Sequence, residues 1–219
     1  MRTRVKICGI TRVEDGAAAA GAGADAIGLV FWPGSPRCVA FEHARTIVAA
    51  LPAFVSAVGL FVDPEPEAVR TALGAVPLDL LQFHGDETPQ LCASFARPYI
   101  KAVPVRPGVD LLQYAARFPA AQGLLFDAFQ PGGLPGGTGT TFDWSRLPQQ
   151  LTDPMSRRLI LSGGLTPHNV AAAIRQVRPW AVDVSSGVEA TGAQGKPRKG
   201  IKSASKIAAF VQEVRSADG

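Results

Sequence analysis

Eight short apolar runs, each followed by a segment with helical spacing, constrain the fold of this chain more than any other feature. The runs lie at residues 4–8, 26–31, 56–61, 78–83, 99–103, 123–126, 158–161 and 181–184. Their β-branched and apolar content suits strands buried on both faces, as parallel strands are. Ala-rich, helix-patterned segments follow near 12–22, 40–51, 64–74, 87–96, 108–117, 143–151, 166–176 and 203–215, so strand and helix alternate from end to end. Eight βα units in 219 residues match a closed (β/α)8 TIM barrel of parallel strands. No repeat or linker divides the chain, and residues 1–219 are expected to form one barrel domain. An open doubly wound sheet also alternates strands and helices, but it uses about five or six strands and usually a G-x-G-x-x-G first turn. The first turn here, Cys8-Gly9-Ile10-Thr11, has no such fingerprint.

Local punctuation agrees with this division. Asp63-Pro64 and Thr166-Pro167 place a capping side chain before a proline suited to a first helical turn. The Gly/Pro-rich stretch 130–141 falls in the sixth βα loop, where a long loop at the catalytic face reads as a lid.

Composition narrows the functional classes. Hydrophobic residues make up 47% and charged residues 18%, which fits a folded enzyme and argues against disorder. The net charge of +4 is scattered and has few interleaved aromatics, a pattern that favours a small anionic molecule over nucleic acid. Cys8, Cys38 and Cys92 are odd in number and lack C-x-x-C spacing, so neither a disulfide framework nor a zinc cluster is indicated. A reducing cytoplasm is the expected setting. The N-terminal residues lack a signal-peptide pattern, and no segment approaches the roughly 20 apolar residues of a membrane span. No cofactor or metal is expected, and the choice between monomer and homodimer is open.

In a parallel barrel, groups at the C-terminal ends of the strands converge on one mouth. Those ends supply Cys8, Arg37, His84, Asp127, the run Ser162-Gly163-Gly164, and the run Asp183-Val184-Ser185-Ser186-Gly187. Glycine and serine turns after the last two strands suit a phosphate, because small residues let backbone N–H groups approach the anion. Gly163 and Gly164 alone read equally well as a tight turn. Cys8 is either a buried small hydrophobe or a reactive thiol acting as nucleophile or base. Asp127 emerges from Leu124-Leu125-Phe126, surroundings that favour a protonated, proton-donating carboxyl; it reads alternatively as a cap or loop anchor for the chain from Gln130. Arg37 either clamps a carboxylate or is a solvated loop arginine, and His84 either contacts substrate or ties down its own turn. Cys38 and Cys92 read as loop and helix residues without chemistry, and the basic segment 196–206 reads as a solvated surface.

Six ordered motifs together resemble phosphoribosylanthranilate isomerase, the barrel enzyme of tryptophan biosynthesis. They are Lys6-Ile7-Cys8-Gly9-Ile10-Thr11, Ser35-Pro36-Arg37, Leu81-Gln82-Phe83-His84-Gly85-Asp86-Glu87, Gly136-Gly137-Thr138-Gly139 with Phe142-Asp143-Trp144, Leu161-Ser162-Gly163-Gly164-Leu165, and Asp183-Val184-Ser185-Ser186-Gly187-Val188-Glu189. The resemblance implies a cofactor-free Amadori rearrangement of an aminoaldose phosphate to an aminoketose. Cys8 would then be the base that takes the C2 proton, and Asp127 the acid that protonates the ring oxygen. By the same resemblance Arg37 would hold the anthranilate carboxylate. Gly163, Gly164, Ser185 and Ser186 would hold the phosphate, and His84 and Asp183 would contact substrate. Cys38 stands where the family more often has an aromatic residue, Ser203 where aspartate is common, and the link 190–200 looks long. The rival readings are another phosphate-binding barrel isomerase or epimerase, built on two aspartates or a metal with histidines, and a noncatalytic phosphate-binding barrel.

Overall fold

The computed structural model describes residues 2–128, 141–147, 159–192 and 195–219. Eight parallel strands close into a barrel in chain order: β1 (Arg4–Cys8), β2 (Ala26–Val30), β3 (Ser56–Phe61), β4 (Leu80–Phe83), β5 (Tyr99–Val105), β6 (Gly123–Ala128), β7 (Leu159–Leu161) and β8 (Ala181–Val184). Closure is made by β1 against β8, in register from Arg4 opposite Ala181 to Ile7 opposite Val184. The helices α1 (Val13–Ala22), α2 (Phe41–Ala49), α3 (Pro66–Ala75), α4 (Pro89–Ala93), α5 (Leu111–Ala116), α6 (Val170–Val177) and α7 (Ala204–Asp218) lie between or after the strands. The barrel expected from the alternation is therefore formed.

Strand pleat decides which residues face the barrel interior, because successive side chains point to opposite faces. On β1 the pair Ile7 and Val5 joins the main core shared with the helices, whereas Lys6 and Cys8 fall on the other face. The lower interior is plugged by Ile100, Ala102, Leu125, Ile160 and Ala181. Above this plug a small cluster of Cys8, Val30 and Leu60 lines the mouth. Outside the barrel, Phe31, Phe61, Phe83 and Phe95 form a chain of ring contacts with centroids 5.5, 6.3 and 5.9 Å apart. Such rings add about 0.5–1.5 kcal/mol per pair beyond the area they bury. At the terminus, the Thr3 N–H and hydroxyl donate to Asp218 at 2.7 Å each, fastening α7 across the start of β1.

Several expected boundaries move. β6 extends to Ala128, so Asp127 belongs to the strand itself, and β5 runs on to Val105. Asp63 does not cap α3. It adopts a left-handed conformation with φ 43° and accepts from the Asp86 N–H at 2.6 Å, while the helix starts at Pro66. Thr166 likewise serves a preceding turn, its hydroxyl accepting from the His168 N–H at 3.3 Å, and α6 starts at Val170. Of the sixth helix, the described residues contain a 3-10 turn, Trp144–Arg146. The proposed lid, residues 130–140 of the stretch 130–141, lies outside the described residues, as do Gly136 to Gly139.

The long link after β8 contains an antiparallel pair, β9 (Glu189–Thr191) with β10 (Pro197–Lys202). Ser203 caps α7, its hydroxyl accepting from the Lys206 N–H at 3.4 Å. The basic segment is not wholly solvated, since Lys202 is buried. Among the described residues no helix is long and apolar enough to cross a membrane.

Candidate active site

A cavity enclosing about 710 Å³ of space, part of it open solvent, occupies the C-terminal mouth of the barrel. All nine residues expected from the sequence line it: Cys8, Arg37, His84, Asp127, Gly163, Gly164, Asp183, Ser185 and Ser186. Topology brings them together, because each lies at the end of a strand or in the loop that follows one.

Buried charged side chains inside a barrel are costly unless paired, and Lys6, Asp183 and Asp127 are paired. Lys6 Nζ donates to Asp183 Oδ1 at 2.6 Å, with both side chains less than a tenth exposed. Ser162 Oγ donates to Asp183 Oδ2 at 3.3 Å. Across the mouth, His84 Nε2 lies 3.2 Å from Asp127 Oδ2, and Asp127 Oδ1 accepts from the Ala128 N–H at 2.9 Å. Asp183 and Asp127 are thus two carboxylates with different partners, one beside an ammonium and one beside an imidazole.

Cys8 sits between these groups. Burial pushes its thiol above the usual range, Lys6 pulls it down, Asp183 pushes it up again, and Lys202 adds a smaller downward pull. Lys6 and Cys8 converge on Gly28: a Cβ there would stand 2.7 Å from Cys8 Sγ and 3.1 Å from Lys6 Nζ. Only the missing side chain leaves room for the pair. Burial disfavours the Lys6 charge, yet Asp183 and Cys8 together hold its pKa above the ordinary lysine value. Lys6 is a charged neighbour that strand alternation did not disclose. It lies two positions before Cys8 on the same strand face but at a different depth, and the length of its side chain closes that gap.

The rim is organised by a second buried ion cluster. Arg37 Nε and Nη2 donate to Glu189 Oε1 and Oε2 at 2.7 and 3.1 Å, and the Gly200 N–H donates to the same carboxylate at 2.9 Å. Burial opposes ionisation of Glu189, but the Arg37 hydrogen bonds, the Lys202 charge and the Gly200 amide outweigh it and hold the carboxyl below its usual range. Lys202 Nζ donates to the Ser185 carbonyl at 3.0 Å from beneath the last loop. Its own pKa is lowered to about 8, chiefly by burial. Gly9, with φ 74°, admits this arrangement, since a Cβ there would meet Arg37 Cδ at 2.5 Å. Glu189 and Lys202 escaped sequence reading because the hairpin that folds them under the loop was not legible. Arg37 reaches the cavity wall, but its fork faces Glu189.

The two glycine-bearing turns form the remaining wall. Gly163 and Gly164 have φ of 85° and 63°, a region that L side chains rarely adopt. A Cβ on Gly187 would stand 1.9 Å from the Leu165 carbonyl oxygen, so glycine there lets the two loops abut. A short 3-10 turn, Ser186–Val188, follows β8, the place where barrels often use a short extra helix for phosphate. Cys38 is exposed, and the buried Cys92 thiol is pushed up to about 12 by burial and by Glu87. Among the described residues no group of three or more His, Cys, Asp or Glu is placed to hold a metal ion.

Fold and site together define a (β/α)8-barrel protein whose titratable side chains and glycine turns gather at the C-terminal mouth, the architecture of barrel enzymes. A family model described as N-(5'phosphoribosyl)anthranilate (PRA) isomerase matches residues 5–213, and the chain belongs to that family. An N-(5'-phosphoribosyl)anthranilate isomerase from Thiobacillus denitrificans is 57% identical over 216 residues, covering 99% of this chain and 100% of the relative. The crystal structure of phosphoribosyl anthranilate isomerase from Thermotoga maritima matches with a TM-score of 0.82 at 40% identity, covering 98% of this chain and 99% of that one. A structure of the isomerase in complex with reduced 1-(o-carboxyphenylamino)-1-deoxyribulose 5-phosphate matches with a TM-score of 0.79 at 38% identity, covering 98% of this chain and 99% of that one.

Proposed function

We propose that this protein is the N-(5'-phosphoribosyl)anthranilate isomerase of tryptophan biosynthesis, converting the aminoaldose to 1-(2-carboxyphenylamino)-1-deoxyribulose 5-phosphate by general acid and base catalysis. Family membership supports the reaction. The observation that carries the residue roles is that Cys8, the His84–Asp127 pair and the glycine turns after β7 and β8 face one cavity.

In this reading the phosphate rests on the turns of Gly163, Gly164, Ser185 and Ser186, and the anthranilate ring lies against Val30, Trp32 and Leu60 of the same cavity. Asp127 donates its proton to the ribose ring oxygen as the C1–O bond breaks and the aminoaldose opens to a protonated Schiff base. Cys8, as thiolate, removes the C2 proton. The electron pair of that C–H bond forms the C1–C2 double bond of an enolamine, which tautomerises to the ketone. Arg37, oriented by Glu189, supplies positive charge for the anthranilate carboxylate, and Asp183, fixed by Lys6 and Ser162, faces the sugar hydroxyls. The epimerase reading needs two aspartates acting as an acid–base pair, whereas Asp183 here is committed to Lys6 at 2.6 Å. A small phosphorylated substrate and a free thiol both suit the cytoplasm, where we place the protein. Growth of a tryptophan auxotroph lacking this isomerase tests the reading; failure to complement despite folded expression would overturn it.

Two further results are expected. Lys6→Met, with or without Asp183→Asn to avoid stranding a buried carboxylate, raises the pH at which Cys8 ionises, because the pull of Lys6 on the thiol outweighs the push of Asp183. Iodoacetamide alkylation against pH in a Cys38→Ala background reads the thiolate fraction; an unmoved curve removes Lys6 from the role. Arg37→Ala raises KM and also destabilises the fold, since buried Glu189 loses its bidentate partner and keeps only the Gly200 amide and Lys202; the cost should stay below the roughly 3–5 kcal/mol of a fully stranded buried charge. The double variant Arg37→Ala with Glu189→Gln should recover thermal stability but not KM. Recovery of both would assign Arg37 a purely structural task.

A further inference from the structure

Gln82, singled out by its motif but given no role above, is fully buried, lines the cavity and sits on β4 two residues before His84. Its side-chain Nε2 lies 2.9 Å from His84 Nδ1, and the other ring nitrogen of His84 lies 3.2 Å from Asp127 Oδ2. An amide nitrogen can only donate. Nδ1 must therefore accept, and a neutral His84 carries its hydrogen on Nε2, pointing at Asp127.

The backbone around His84 is pinned separately. Lys101 Nζ donates to the Gly85 carbonyl at 2.6 Å and reaches the Phe83 carbonyl at 3.4 Å, gripping the residues on either side of His84. Its charge is matched by Glu87 at 3.0 Å, both side chains being fully buried. Glu87 in turn accepts from the N–H groups of Gly85 and Asp63. With the main chain held from outside the barrel, the ring hydrogen bonds decide how His84 meets Asp127.

We propose that Gln82 is a positioning residue for the acid step, fixing the His84 tautomer that donates from Nε2 to Asp127. The inference rests on Asp127 being the acid. When Asp127 gives up its proton, its two oxygens become acceptors for His84 Nε2–H and the Ala128 N–H, so the carboxylate formed in the transition state is stabilised by donors already in place. The opposite tautomer would present a lone pair to the Asp127 proton and hold it away from substrate. The Gln82 amide oxygen is buried without a hydrogen-bond partner among the described residues.

The test combines imidazole ¹⁵N spectroscopy with steady-state kinetics on the full-length protein. The wild type should show a pyridine-like Nδ1 and a pyrrole-like Nε2 for His84. Gln82→Glu, of the same shape but presenting an acceptor, should reverse or mix that pattern, and Gln82→Leu should abolish the preference. Both variants should lower kcat on the order of 10–100-fold, the range for losing a group that orients an imidazole, with KM little changed. The effect of Gln82→Leu should vanish in an Asp127→Asn background, where the proton is already missing. An unchanged tautomer in Gln82→Glu, or an undiminished effect of Gln82→Leu in Asp127→Asn, would overturn the role of Gln82. Normal turnover by Asp127→Asn alone would instead overturn the acid assignment.

Discussion

Cys8→Ser is expected to lower kcat on the order of 10²- to 10⁴-fold, the usual contribution of a positioned base, while the reduced product analogue still binds. Serine keeps the size of the side chain and fits between Val30 and Leu60. Its hydroxyl, however, ionises far above any working pH, so the C2 proton loses its acceptor. Burial already holds the Cys8 thiol above its usual range, and below that value the thiolate fraction falls about tenfold per pH unit. Wild-type kcat/KM should accordingly climb as pH rises through neutrality, until protonation of the acid partner becomes limiting. The variant should lose that ascending limb. Substrate deuterated at C2 should turn over more slowly with the wild-type protein wherever C–H cleavage limits the rate. Near-normal kcat in Cys8→Ser, with the limb retained, would show that some other group takes the proton.

What could be read from the sequence and what could not follow a physical division. The barrel was legible because alternation of short apolar runs with amphipathic segments is a local pattern, and closure follows from having eight of them. That these nine residues would gather around one cavity was legible because topology sends strand ends and the loops after them to one mouth. Contacts set by reach and by distant loops were not. Lys6 meets Cys8 only because Gly28, on the next strand, has no side chain. His84 meets Asp127 across a separation of 43 residues. Glu189 fastens Arg37 from 152 residues away because a hairpin returns the chain beneath the last loop. One of the two misplaced caps has the same origin. Asp63 has the composition of an N-cap, but the Asp86 N–H in the next βα loop competes for its carboxylate and wins. A local propensity yields where a tertiary partner is available.

Asp127→Asn is expected to cost kcat a comparable 10²- to 10⁴-fold, again on the order set by general acid catalysis, but through a different step. Opening the furanose needs a proton on the departing ring oxygen, and an amide has none to give at neutral pH. The substitution preserves shape and leaves a carbonyl oxygen to accept from either Ala128 or His84, so the fold should hold and the analogue should still bind. Asp127→Ala removes the group altogether and opens space beside Gly163, whose own Cβ position lies 3.1 Å from Asp127 Oδ1. A small carboxylic acid can enter that space. Formate buffers should therefore restore part of the turnover of Asp127→Ala and none of that of Cys8→Ser, because formic acid replaces a proton donor at the ring oxygen but not a base at C2. Rescue of both variants, or of neither while Asp127→Asn retains wild-type turnover, would break the division of labour between the two residues. The cavity places Asp127 beside the His84 imidazole and Cys8 within the pull of the Lys6 ammonium in the same mouth. In the proposed reaction neither can do the other's work, since ring opening needs a proton on Asp127 and C2 proton removal needs an ionised Cys8.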